Sequence, residues 1–210
     1  MENRNGQGIF YGVIGVATLV VAIIGATFAY FSAAGANNST TINGTTGQGG
    51  GLTLTVSPVS TDATGPLVPQ LETALQSALT GTEGHSCVDA HDNTVCKVYS
   101  ITITNTGTSS VTVPGTLTLT SEATHLKWRR ITDAKTLGSN AAVSAGTAGA
   151  IDTPNLAPNG ETGASQTYYV VVWLEETKNA QDTPDAGKPF TGTVSFELES
   201  GTGVTSTFTA

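Results

Sequence analysis

Apolar and polar residues alternate in short runs along the chain from Leu52 onward. A period of two is typical of β-strands that bury one face. The alternating runs are Leu52–Val56, Val98–Thr104, Val111–Val113, Thr116–Thr120, Thr193–Leu198 and Val204–Thr209. The run Thr167–Leu174 is more continuously apolar, as in a central strand. Two such sheets bury their apolar faces against each other, so the pattern predicts an all-β domain over residues 52–210, an antiparallel β-sandwich or jelly roll.

One segment departs from this period. Within Pro66–Gly81 the apolar residues recur at helical spacing: Val68, Leu71, Leu75 and Leu79. Gly81 suits the end of a helix, because glycine adopts the left-handed conformation there. The spacing predicts one short helix that caps an open end of the sandwich. Residues 138–163 are rich in Ala, Gly, Ser, Thr and Pro, which predicts a surface loop.

The N-terminal part has a different pattern. Ile9–Phe31 comprises 23 consecutive positions without a charged side chain, which is long enough for a helix across a bilayer. Arg4 precedes it and no Lys or Arg follows until Lys97, so the positive-inside rule places the N-terminus in the cytoplasm and the rest outside. Residues 1–31 are therefore an export signal or a membrane anchor, and both readings stay open.

The next segment, Ser32–Gly51, consists mainly of Gly, Asn, Ser and Thr. Such a composition buries too little apolar surface to order itself. The sequence therefore predicts three parts: the N-terminal apolar helix over 1–31, a tether or donor segment over 32–51, and the β-sandwich domain over 52–210.

The charge of the chain limits the classes of function that it can have. Only 11% of the residues are charged, and 8 Lys and Arg stand against 16 Asp and Glu, for a net charge of −8. A nucleic-acid binder needs a basic footprint, so this class is excluded. The chain contains no H-E-x-x-H, no G-x-S-x-G and no phosphate-binding glycine loop. We therefore expect a protein that is not an enzyme and uses no cofactor.

Cys87 and Cys96 enclose eight residues immediately before a predicted strand. An exported chain meets oxidants, so a disulfide is the favoured interpretation. The alternative is a metal site, because imidazole, thiolate and carboxylate groups crowd this segment. The candidate ligands are His85, Cys87, Asp89, His91, Asp92 and Cys96. Their spacing matches no standard closed zinc site.

An acidic segment follows the predicted central strand and includes Glu175, Asp182 and Asp185. Carboxylate oxygens on a loop are ligands for Ca²⁺, although the spacing is not that of an EF-hand. The favoured interpretation is a solvated hairpin loop, and no metal is expected.

Two further groups stand out for their chemistry. Trp128 and Trp173 are expected in the core, with ligand platforms as the alternative. Lys127, Arg129 and Arg130 form the one basic cluster. We expect them at a solvated strand end, with acidic neighbours in an assembly as the alternative.

The residues Gly25-Ala26-Thr27-Phe28-Ala29-Tyr30-Phe31-Ser32 resemble the end of the export signal in the TasA/camelysin family of secreted biofilm-fibre proteins. Ile101–Gly107 is similar to a strand–turn element of that family, and the stretch from Trp173 to Val194 is similar to the closing strands of related surface proteins. The resemblance implies a jelly-roll sandwich and cleavage by a signal peptidase between Ala29 and Tyr30. It also implies polymerisation in which the freed N-terminal segment, beginning with Tyr30 and Phe31, completes a sheet of the next subunit.

A weaker resemblance is to type IV pilins, which have a short leader, an apolar helix and a β domain. Pilins carry a glutamate early in that helix where this chain has Val13. The expected function is an exported, extracellular structural subunit that assembles with copies of itself. The alternative is a membrane-anchored surface binding module or pilin-like subunit that retains Ile9–Phe31.

Overall fold

The computed structural model describes residues 42–44, 51–60, 63–81, 86–177, 185 and 187–209, with the backbone alone for 42–44. The chain divides into two compact units, 1–38 and 39–210, and every described residue belongs to the second. This unit is an all-β structure in which strands account for about half of the described chain, as the alternation predicts.

The strands follow the predicted runs closely. Their bounds are β1 Ile42–Gly44, β2 Leu52–Pro58, β3 Pro69–Gln70, β4 Lys97–Asn105, β5 Val111–Thr112, β6 Gly115–Ser121, β7 Leu126–Ile131, β8 Val143–Ser144, β9 Ala148–Asp152, β10 Asn155–Leu156, β11 Ser165–Glu175, β12 Phe190–Glu197 and β13 Gly203–Thr209. Each of the seven runs predicted from the sequence overlaps one of these strands. β1 lies within the segment predicted as a tether.

The first sheet has the order β1-β2-β4-β11-β7-β8, and β3 adds to β11 in parallel. All its other pairings are antiparallel. β11 lies at its centre between β4 and β7, with Val172 opposite Lys97 on one side and Trp128 on the other. The central position explains why the sequence of β11 is apolar on both faces.

The second sheet has the order β13-β12-β6-β9 and is antiparallel throughout. β5 and β10 form a separate two-stranded pair. β12 and β13 are joined by a short hairpin at Glu197–Gly203. The predicted antiparallel arrangement is therefore present in both sheets.

The two sheets share one apolar core. Its buried residues alternate along the strands, including Ile101, Val170 and Val172 from the first sheet and Leu117 and Val194 from the second. In the second sheet Phe208 lies over Gly192, where an added Cβ would come within 2.1 Å of its ring. A glycine opposite a phenylalanine on the neighbouring strand lets the ring cover the bare backbone.

A second apolar cluster lies on the outer face of the first sheet. Its sheet residues, Val98, Ile131, Val171 and Trp173, are all buried. They are covered by Leu75, Leu79, Cys87 and Cys96, which belong to the same cluster. The residues of these strands thus point alternately into the two clusters.

The helix differs from its prediction in length and place. The segment begins with β3, continues as a 3-10 helix at Glu72–Ala74, and becomes α-helical, as α1, only over Leu75–Thr80. The backbone of β3 is engaged by β11, so helix cannot extend over it. α1 ends at Gly81 with a φ of 69°, as predicted. It covers the outer face of the first sheet instead of an open end.

Two stretches predicted as loop or solvated strand end are ordered strands. β8, β9 and β10 fall within residues 138–163, where Ile151 and Leu156 are buried. The surface-loop prediction was wrong there because short Ala- and Gly-rich strands leave no clear alternation. β7 contains the basic cluster and pairs with β11.

Candidate functional site

Three residues from the N-terminal side of the unit form the outer edge of the first sheet. β1 pairs antiparallel with β2, from Ile42 opposite Val56 to Gly44 opposite Leu54. On its other side β2 pairs along its full length with β4. β1 therefore covers 3 of the 7 residues of β2. Without β1, the backbone of β2 would be a template for another strand.

The second sheet has its own edge beside this one. In the part of the chain that the structure describes, β13 pairs with β12 alone and lies next to β1 and β2. Its inward residues Val204 and Phe208 are buried, whereas Thr205, Thr207 and Thr209 are exposed. β1 thus lies where the edges of both sheets meet.

The predicted processing and assembly residues Ala29, Tyr30 and Phe31 lie outside the described residues, as does the whole of Ile9–Phe31. Within the described ranges, no helix has the length and hydrophobicity needed to cross a membrane.

The predicted disulfide is confirmed. Cys87 and Cys96 are bonded to each other, with a Cα–Cα distance of 4.7 Å, and both are fully buried. Cys87 has a φ of 63°, in the left-handed region. The sulfur atoms are therefore engaged with each other instead of serving as thiolate ligands. His85, another residue of the alternative metal site, lies outside the described residues.

The loop that the disulfide closes is organised by Asp89. Its carboxylate accepts hydrogen bonds from the Asn93 side chain at 2.9 Å and from the backbone N–H groups of His91 and Asn93. The Asn93 side chain and these N–H groups hold the pKa of Asp89 below its ordinary value. The carboxylate has a structural role in this loop.

Two of the three acidic residues considered for Ca²⁺, Glu175 and Asp185, have other partners. Glu175 forms an ion pair with Lys127. Asp185 is buried and accepts hydrogen bonds from His125 Nδ1 at 2.5 Å and from Thr124 N at 2.8 Å. Asp182 lies outside the described residues. Over the described ranges, no group of three or more His, Cys, Asp and Glu is arranged to hold a metal ion.

The hydrogen bonds of Asp185 also set its ionisation. Burial raises the pKa of this carboxyl, but the hydrogen bonds from His125 and Thr124 outweigh burial and hold the pKa below its ordinary value. His125 and Thr124 lie on the link between β6 and β7, which belong to different sheets. The contact therefore fixes the connection between the sheets.

The basic cluster is not a solvated strand end. Each of its members pairs with an acid of the same chain: Lys127 with Glu175, Arg129 with Glu72, and Arg130 with Asp152. Arg129 is 8% exposed and also donates to the carbonyl of Asn140. The alternative interpretation placed acidic neighbours in an assembly, whereas the structure supplies acidic partners within the chain.

Arg130 borders a polar cleft of about 460 Å³ between β7, β11 and the β9–β10 link. Its guanidinium lies 5.4 Å from the ring centroid of Tyr168 and 2.8 Å from Asp152. Burial, and then the Asp152 carboxylate, raise the pKa of Tyr168 to about 12. The tyrosine is therefore neutral at physiological pH.

Trp128 and Trp173 are 1% and 0% exposed, as expected of core residues. Their Nε1 atoms are buried and have no hydrogen-bond partner among the residues described.

Sequence reasoning missed Lys97, which is 7% exposed on β4, and burial lowers its pKa. Only its place beside the apolar run of β4 hinted at burial.

No protein-family model and no curated protein matches this chain. Among solved structures, a FixG-related protein from Vibrio parahaemolyticus is similar at 8% identity over 76% of this chain and 94% of its own, with a TM-score of 0.36. The target SoR45 of the Northeast Structural Genomics Consortium is 15% identical over 78% and 88%, with a TM-score of 0.28.

A third similar structure is β-glucuronidase 2 of Bacteroides uniformis, at 13% identity and a TM-score of 0.30. The match covers 55% of this chain and 11% of the glucuronidase. At these TM-scores the three likenesses carry no argument about function.

Proposed function

We propose that this chain is an exported, non-enzymatic subunit of an extracellular fibre or biofilm matrix, and that its subunits assemble by β-strand complementation. The observation that supports this proposal is β1, a three-residue strand from the N-terminal side at the edge of the first sheet. A strand held by so few pairings is easily exchanged for the same strand of another copy.

The sequence on either side of β1 suits such an exchange. Residues 45–51, TTGQGGG, join β1 to β2, and a glycine-rich composition gives a linker many accessible conformations. The pairing of β1 with β2 can therefore form within a chain or between two chains. In the fibre, the N-terminal segment of one subunit occupies the edge beside β2 of the next.

The resemblance of Gly25–Ser32 to the TasA/camelysin export signal is in keeping with this proposal. In that case a signal peptidase cuts between Ala29 and Tyr30, and the mature subunit, a jelly-roll sandwich, begins with the donor segment. The predicted location is the cell surface or extracellular matrix.

Electron microscopy of the exported protein tests this function. We expect filaments from the intact exported chain and monomers from a variant that lacks residues 30–44. Monomers from both, across salt and pH, would contradict the proposal. Intact-mass measurement of the same sample establishes whether residues 1–29 are absent, because a retained Ile9–Phe31 would favour a membrane-anchored module or pilin-like subunit.

A further inference from the structure

The outer face of the second sheet carries a regular grid of hydroxyl side chains. The strand register aligns them in three rows across β6, β12 and β13: Thr120–Thr191–Thr209, Thr118–Thr193–Thr207 and Thr116–Ser195–Thr205. On the fourth strand, Ala150 lies beside Thr116 and Ala148 beside Thr118. We call these eleven residues the threonine face.

The threonine face is open and uncharged. Its nine hydroxyl residues are exposed or partly exposed, whereas the alternate residues of the same strands, such as Leu117 and Val194, are fully buried. No charged side chain lies in the three rows, and Glu197 stands at the end of β12. The chain as a whole has a net charge of −8. Because this face carries no charge, two copies can approach each other through it without direct electrostatic repulsion.

Most of these hydroxyl groups have no hydrogen-bond partner among the residues that the structure describes. Ser195 Oγ and Thr205 Oγ1 are 3.3 Å apart, and Ser195 Oγ also contacts Glu197 at 3.4 Å. The other seven threonine hydroxyls make no hydrogen bond with any residue in the described ranges. The face thus presents methyl groups together with free donors and acceptors.

The geometry of a sheet restricts what fits this face. Adjacent strands of a sheet are rotated by about 20–25°, so four strands present a twisted surface that does not match a flat crystalline partner. A second sheet with the same twist matches it, because twisted sheets pack face to face at about 10 Å with their strands nearly aligned. The face also has no aromatic side chain on which a sugar ring would stack.

We propose that the threonine face is a lateral contact between copies of this chain, with the same face of a second copy packed against it about a two-fold axis. This contact rests on the proposed function: strand complementation joins subunits along a filament, and the threonine face joins neighbouring filaments side by side.

The size of the face sets the strength of the contact. Four strands about 4.8 Å apart and seven residues at about 3.4 Å each give a face of about 450 Å². Two copies would bury about 900 Å², less than the roughly 1,200 Å² of a stable specific interface. A single pair is therefore weak, and repetition along two filaments makes the contact effective.

The test compares exported wild-type protein with Thr193→Glu at the centre of the face. Electron microscopy should show bundled filaments for the wild type and single filaments of unchanged length for Thr193→Glu. Sedimentation equilibrium at high protein concentration should show self-association that Thr193→Glu weakens about tenfold or more, because the two-fold axis brings two like charges together.

Two variants serve as controls. Thr193→Val keeps the shape and strand preference of threonine and should retain the bundles. Thr102→Glu places the same charge on the outer face of the first sheet, where Thr102 bonds to Thr167, and should retain them as well. Circular dichroism and thermal unfolding establish that all variants are folded.

The outcomes separate this contact from the proposed function. If no variant forms filaments, sedimentation still decides: weakening by Thr193→Glu alone supports the lateral contact, and equal behaviour of all variants overturns it. Bundles that persist in Thr193→Glu also overturn it. So does a Thr193→Glu variant that loses binding to an insoluble polysaccharide while its self-association is unchanged.

Discussion

The outer faces of the two sheets differ although both sheets contribute to the same core. On the first sheet the outer face carries Val171 and Trp173, which are buried under α1 and the disulfide loop. On the second sheet the outer face carries the threonine face, which is open. The difference is visible in the strands themselves: β11 is apolar on both faces, whereas β12 alternates.

Even the uncovered part of the first sheet differs from the threonine face. There Thr102 bonds to Thr167 at 2.9 Å and Thr104 bonds to Ser165 at 2.8 Å. Hydroxyl groups that are paired across strands stabilise their own sheet, whereas unpaired ones are available to a partner. A high threonine content alone therefore does not identify a contact surface. Whether the threonine hydroxyls are already hydrogen-bonded within the sheet decides whether they are available to a partner.

The largest expected effect comes from the covered face. Trp173→Ala should lower the free energy of unfolding by about 3–5 kcal/mol, because it leaves a cavity beneath α1. Thr193→Ala on the threonine face should change it by less than about 1 kcal/mol. Urea denaturation of the two variants measures both changes in the free energy of unfolding. Equal losses of stability would contradict the distinction between the two outer faces.

Loss of the disulfide should come next. Cys87→Ser with Cys96→Ser should lower the free energy of unfolding by about 2–3 kcal/mol, because the loop over the first sheet becomes unconstrained. A reductant should destabilise the wild type by a similar amount and leave the double variant unchanged. A wild type insensitive to complete reduction would contradict a stabilising role.

A smaller effect is expected from the ion pair that ties the 3-10 helix to the first sheet. Glu72→Gln should cost about 1–2 kcal/mol, because it leaves the buried Arg129 without its carboxylate. The matched control is Glu122→Gln, which breaks the exposed pair with Lys188 and should have a much smaller effect on stability. Thermal unfolding of both variants checks the order, and a reversed order would be inconsistent with a covered first sheet.

The smallest effect concerns the link between the sheets and depends on pH. Since the pKa of Asp185 is below its ordinary value in the folded state, its contribution is complete above the unfolded pKa of about 3.9. The contribution is lost as the pH falls through the folded-state pKa. Asp185→Asn should therefore destabilise the protein at pH 6 and lessen the acid dependence below pH 4.

Glu199→Gln, in the exposed hairpin of the second sheet, is the control for this titration. Unfolding midpoints of the three proteins between pH 2 and 7 give the comparison. An Asp185→Asn variant with the acid dependence of the wild type would contradict the role assigned to this carboxylate.

Alternation predicted the principal strands that bury one face against the common core, and a continuous apolar run predicted β11, which buries both faces. Alternation was insufficient for β7, where Lys127, Arg129 and Arg130 occupy three of six positions. Their burial depends on acids distant in sequence, such as Glu72, which no local pattern reveals. α1 was placed at an open end because spacing reports a helix but not the surface it covers.

The edge formed by β1 and β2 could be predicted from the sequence only in part. The composition of residues 32–51 predicts a tether or donor segment, but β1 is ordered by its pairing with β2 and not by its own three residues. The disulfide could be predicted because an exported chain with two nearby cysteines meets an oxidising environment. The threonine face required the register of three strands, which alternation within single strands does not supply.

Strand complementation requires that another chain fills the edge beside β2 in the fibre. Asn43 lies opposite Thr55, so the measurement mixes exported Asn43→Cys protein with Thr55→Cys protein, allows filaments to form and oxidises them. Strand complementation predicts a covalent dimer of the two variants on a non-reducing gel. Filaments that yield no such dimer, while an Asn43→Cys, Thr55→Cys double variant closes its own cross-link within one chain, would contradict it.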